Sequence, residues 1–160
     1  MMTSIASMRI SYLPLLGLFL IFLPSCGLFR VGSGTGVNLN AAKKVTFCQL
    51  GGYNGQLIKT RLVYSGVEEY WSGAGFEKCD LNHQVYVNFD DYYEGWKWLL
   101  IEGQLKKIHT KYSQRIGWMK VIGTFEMVDS VSNKGEGFGH LGLNRAQIVV
   151  KSVRIKVKKK

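Results

Sequence analysis

Apolar residues recur at every second position in several stretches of the chain, and the phase of each recurrence predicts a strand with one buried face. In QLIKTRLVYS, residues 56–65, Ile58, Thr60, Leu62 and Tyr64 alternate with Lys59, Arg61 and Val63, which is the pattern of a half-buried strand. In HQVYVNFD, Val85, Val87 and Phe89 share one face and Gln84, Tyr86 and Asn88 the other. A last strand, QIVVKSVRIKV, sets Val153, Ile155 and Val157 against Ser152, Arg154, Lys156 and Lys158. Two further strands are less regular. One covers Glu68 to Ser72 and ends in a Ser72-Gly73 turn; the other, IGWMKVIGTFEMV, puts Met119, Val121, Phe125 and Met127 on one side, with Gly123 at a bend or bulge. Between Asp91 and Ser113 the spacing turns helical: Leu100, Leu105, Ile108 and Tyr112 form a stripe, and Gly103 weakens it. Upstream, VTFCQLGGYNGQ reads as one helical turn followed by an Asn54-Gly55 turn. The order strand, strand, strand, helix, strand, strand predicts a mainly β domain. Five strands with one helix after the third is the order of an OB-fold, a small five-stranded Greek-key barrel with a binding face on its middle strands. A five-stranded half-open sandwich gives a similar string, and spacing alone does not choose between them.

The N-terminus has no such alternation. Leu13 to Leu23 are apolar apart from Gly17 and the ring of Pro14, and Arg9 is the only charge in the first 25 residues. That run falls short of the roughly 20 residues a helix needs to cross a bilayer. It suits the apolar core of a signal peptide, whether translation starts at Met1 or at Met8. Leu23, Pro24, Ser25 and Cys26 then resemble a bacterial lipobox, although proline is a less usual second residue. In such precursors the thiol of the cysteine takes diacylglycerol and the signal is cut just before it. Two or more acyl chains anchor stably where one binds only marginally. The expected organisation is a signal peptide over 1–25, a lipidated N-terminus and flexible tether over 26–44, and one domain over 45–160. An ordinary secretory signal with an incidental cysteine is the competing reading. Only three cysteines exist, and lipid on Cys26 leaves Cys48 and Cys79 as an even pair in a compartment that permits disulfides. Adding His83 to that pair matches no zinc pattern, so no metal is expected.

Charge extends the picture to partners. The chain carries a formal net charge of +10, and VKSVRIKVKKK at its end holds no acid. Such a segment is drawn to anionic lipid headgroups or other polyanions, though a solvated strand face with a frayed basic tail explains it as well. Residues 27–44 are rich in Gly, Asn and small side chains; the VGSGTG within them lacks the Gly-Lys-Ser/Thr ending of a phosphate loop and reads as linker.

The phrases CQLGGYNGQLIKTRLVYSG, VYVNFD and GFGHLGLNRAQIVVKSV resemble those of uncharacterised bacterial envelope lipoproteins with an OB-like domain. The resemblance implies an OB-like fold, export, a Cys48–Cys79 bond and a recurrent Gly-Phe-Gly-His-Leu-Gly loop before the last strand, and it implies no activity. Glycines 135, 137, 139 and 142 around His140 would suit an anion cradle with an imidazole acid or base. The loop leads into a strand instead of a helix, which favours a structural role for it. No nucleophile or metalloprotease motif accompanies His83 or His109, and no cofactor is expected. Asp90 and Asp91 read as a solvated turn. Tyr86, Tyr92, Trp96 and Trp98 make an aromatic cluster suited either to stacking on sugar faces or bases or to packing a helix against a sheet. These features favour a membrane-anchored, non-enzymatic binding or adaptor module of the cell envelope, facing the periplasm or exterior, with a protein or glycan partner. Gly27 stands where an aspartate would resemble an inner-membrane retention signal, which points to the outer membrane. Nucleic-acid binding and an enzyme using His140 are the alternatives.

Overall fold

Alternation along the chain becomes alternation of burial. The computed structural model describes residues 31–32, 36–67, 72–76, 79, 84–90, 96–129, 131 and 135–160. The expected signal peptide, Cys26, residues 68–71, His83, Asp91 and Tyr92 lie outside the described residues. The strands are β1 (Val31–Gly32), β2 (Lys43–Lys44), β3 (Leu57–Ser65), β4 (Ser72–Ala74), β5 (Val85–Asn88), β6 (Arg115–Met127) and β7 (Ala146–Lys159), with α1 (Trp96–His109) between β5 and β6. In β3 the side chains of Ile58, Thr60, Leu62 and Tyr64 are buried while Lys59 and Arg61 are exposed; in β5 Val85 and Val87 are buried, followed by Phe89. Met119, Val121 and Phe125 of β6 complete the core from the opposite side.

Pairing gives a single mixed sheet that is mainly antiparallel. β3 pairs antiparallel with β4 and with β6, β4 with β5, and β6 with β7 along nearly their whole length. β5 and β7 run parallel, Tyr86 opposite Gln147 and Val87 opposite Ile148. The hydrogen bonds therefore run β3-β4-β5-β7-β6 and return to β3 as a ring. Within the stretch expected as tether, Val31–Gly32 pairs with β7, residues 39–41 make a 3-10 turn, and Lys43–Lys44 pairs parallel with β3.

Four local expectations are corrected or sharpened. Ser72-Gly73 is not a turn but part of β4, because Gly73 lets β4 lie on Leu62: a Cβ there would come within 2.8 Å of Leu62 Cδ1. Tyr112 is exposed beyond the end of the helix, and the buried stripe is Ile101, Leu105 and Ile108, at helical spacing. The irregularity expected at Gly123 lies opposite it. Ile122 faces Ser152 and Gly123 faces Val150, so Lys151 is an extra residue in β7, and a Cβ on Gly123 would stand 2.4 Å from the carbonyl oxygen of Val149. The bulge changes the buried phase of β7 from Ala146, Ile148 and Val150 to Val153 and Ile155. The Asn54-Gly55 turn is braced by its own amide: Asn54 Nδ2 donates to the Met127 carbonyl at 3.1 Å and Asn54 Oδ1 accepts from the Met127 N–H at 2.8 Å.

Cys48, in the 3-10 turn Phe47–Tyr53, is bonded to Cys79, with Cα atoms 5.5 Å apart. Phe47 and Leu50 of the same turn are buried, so the disulfide ties a core-packed turn to the segment between β4 and β5.

Candidate functional site

The outward side of β5 meets the loop that joins β6 to β7. Tyr86 stands between Ser72 of β4 and Gln147 of β7, and its ring is half-buried because Gly139 lies on it. A Cβ at Gly139 would come within 2.7 Å of Tyr86 Cδ2, and the backbone there has φ 76, so glycine meets both demands. That burial, and next the nearby Asp90 carboxylate, raise the Tyr86 phenol above its ordinary pKa of 10.0. Beside it runs a polar chain: Asn88 Nδ2 donates to Gln147 Oε1 at 3.3 Å, and Gln147 Nε2 donates to Glu126 Oε2 at 2.6 Å.

The loop is wound on itself. The N–H groups of Gly135 and Gly137 donate to the carbonyls of Leu141 and Gly142, at 2.9 and 3.0 Å, and that of Gly142 donates to Gly139 at 2.9 Å. Phe138 and Asn144 exchange backbone bonds of 2.8 and 3.1 Å, and Asn144 Nδ2 adds a third, 3.2 Å, to the Phe138 carbonyl. Three of the four glycine amides that suggested an anion cradle are thus donated within the loop. The bracing instead holds Leu141 at φ 60, a left-handed conformation that costs a branched aliphatic residue about 1 kcal/mol. Leu141 is 47% exposed and Leu143 53%. His140 is also exposed, and the site combines apolar side chains, the Tyr86 ring and amide groups with the Glu126 and Asp90 carboxylates on a stiff support.

Of the other rings expected in the cluster, the described side chain is that of Trp98, and it does not join Tyr86. Trp98 packs its ring against buried Phe89, with centroids 6.5 Å apart, as helix-to-sheet packing. Phe89 belongs to the inward phase of its strand and Tyr86 to the outward one, so the two rings serve opposite faces. Trp96 opens α1. His109 meets Tyr64 instead of a reacting group: the hydroxyl and Nε2 are 2.7 Å apart. Among the described residues no three His, Cys, Asp or Glu side chains gather as a metal site.

A second group of exposed side chains went unread in the sequence. Trp118 occupies a polar-phase position of β6 yet is 41% exposed, with Lys158 Nζ 3.1 Å above its ring centroid and Phe76 meeting it edge-on at 5.2 Å. Its signal was an indole out of phase with Met119 and Val121. Among the described residues no helix is long and apolar enough to cross a membrane. Comparison with known proteins finds no matching family model, no matching curated protein and no matching solved structure.

Proposed function

We propose that this protein is a lipid-anchored lipoprotein of the bacterial cell envelope, facing the periplasm or exterior, and that its domain is a five-stranded OB-like Greek-key barrel serving as a non-enzymatic binding or adaptor module. The order β3-β4-β5-β7-β6, closed through β3, with β5 and β7 parallel and the helix between β5 and β6, supports the OB-like reading. OB-folds bind across their second and third strands and against loops that include the one before the last strand. β4 and β5 are those strands here, and the loop that carries His140, Leu141 and Leu143 is that loop. A protein or glycan partner fits this site, because an apolar tip, a tyrosine ring and a neutral amide pair answer to apolar and hydroxyl groups better than to phosphates.

The observation that carries the anchored reading is the Cys48–Cys79 bond. It accounts for two of the three cysteines and leaves Cys26, at the end of the lipobox-like Leu23-Pro24-Ser25-Cys26, for the thioether to diacylglycerol. Labelling with radioactive palmitate in a bacterial host tests this. Label and membrane association are expected in the wild-type chain and their loss in Cys26→Ala. An unprocessed chain in the cytoplasm overturns the reading.

A further inference from the structure

Three strands of the sheet present their outward side chains as cross-strand rows. Arg61 of β3 stands opposite Lys120 of β6, and Lys120 opposite Arg154 of β7. Three cations directly side by side lower the stability of a sheet. The next row along is Val63, Trp118 and Lys156, and Lys158 reaches over the Trp118 indole from the far side. In the other direction exposed Lys59 stands beside Ile122 and Ser152, which are buried, so the row continues only on β3. Neighbouring strands lie about 4.8 Å apart and alternate residues about 6.8 Å apart, so these cations form a shallow array roughly 10 Å wide. No carboxylate enters the two rows.

We infer that this face docks onto an anionic phospholipid surface, with Trp118 and Phe76 at headgroup level and the surrounding Lys and Arg on lipid phosphates. A row of cations along one face of the sheet answers to the phosphates of a lipid surface. Each basic residue near such a surface multiplies binding about fivefold. Tryptophan is the residue enriched at the boundary between headgroup and hydrocarbon, and long cationic side chains reach outward from apolar stems to the phosphates. A single-stranded nucleic acid fits less well, because base stacking needs an open ring face and the Lys158 ammonium covers one face of Trp118. In the ring of strands β5 is separated from β6 by β7 and from β3 by β4. Docking through β3, β6 and β7 therefore leaves Tyr86 and its loop available to a partner.

The inference rests on the envelope reading only for bringing the domain to a membrane. Its test is a lysine footprint on the full chain, reconstituted in vesicles of neutral phosphatidylcholine or of phosphatidylcholine with phosphatidylglycerol. Acetylation of Lys59, Lys120, Lys156 and Lys158 is expected to slow in the anionic vesicles alone. The protection is expected to fade in high salt and to vanish in the triple variant Arg61→Gln, Lys120→Gln, Arg154→Gln. These three positions lie on the solvent side of the sheet, and a thermal melt of the variant checks that the fold persists. Equal acetylation in both vesicles overturns the inference, as does protection by an oligothymidylate that exceeds protection by the anionic vesicles. Loss of palmitate labelling with the footprint intact removes the anchor alone; labelling without the footprint removes the docking face alone.

Discussion

Tyr86 is an acid whose proton the fold retains. Burial under Gly139 and the neighbouring Asp90 carboxylate both disfavour its phenolate, so its folded pKa stands above the ordinary value of 10.0. An acid raised on folding stabilises fully below the unfolded pKa, and that contribution is lost as the pH climbs through the folded value. Thermal melts on either side of pH 10.0 are expected to show a steeper alkaline fall in Tm for the wild type than for Tyr86→Phe. Parallel curves would mean the ring is not held as described. This residue was legible as an aromatic on the polar phase of a clean strand. What covers it was not, because Gly139 reaches Tyr86 only through a loop some fifty residues further along. Trp118 was hidden for a different reason: its phase was plain, but its meaning depends on Lys158 of β7 and on Phe76 in the bend after β4.

At the scale of elements, period-two alternation found β3, β5 and the second half of β7, because each buries one face of a strand against a single core. It could not find the bulge. Ile148 and Val150 lie in one phase and Val153 and Ile155 in the other, and only the pairing with β6 shows that Lys151 is the residue that reconciles them. Deleting Lys151 should remove that reconciliation. Either Ser152–Val157 turn their apolar side chains outward or β7 slips against β6, and each route exposes several buried residues. The deletion variant is expected to lose cooperative urea unfolding. A sharp transition of wild-type midpoint would show that the bulge is incidental. The helix was legible in extent more than in phase. Its stripe is set by Ile101, Leu105 and Ile108, and Ile108 presses on Gly117, where a Cβ would stand 2.7 Å from Ile108 Cδ1.

For the molecule as a whole, the Cys48–Cys79 bond closes a loop with a sequence separation of 31 residues, worth about 4 kcal/mol on the chain-entropy account. The double variant Cys48→Ala, Cys79→Ala is expected to lose stability of that order in denaturant titration under oxidising conditions. A difference well below 1 kcal/mol would mean that Phe47 and Leu50 hold the turn without help. Ring closure carries a further consequence. β7 is the last of the ring strands to be synthesised, yet it is the partner of both β5 and β6. Until it arrives, both strands keep an open edge and the core lacks one wall, and pairings this distant in sequence form slowly. A nascent chain of this design cannot close its sheet before β7 has been made, so the wall between β5 and β6 is the last part of the ring to form.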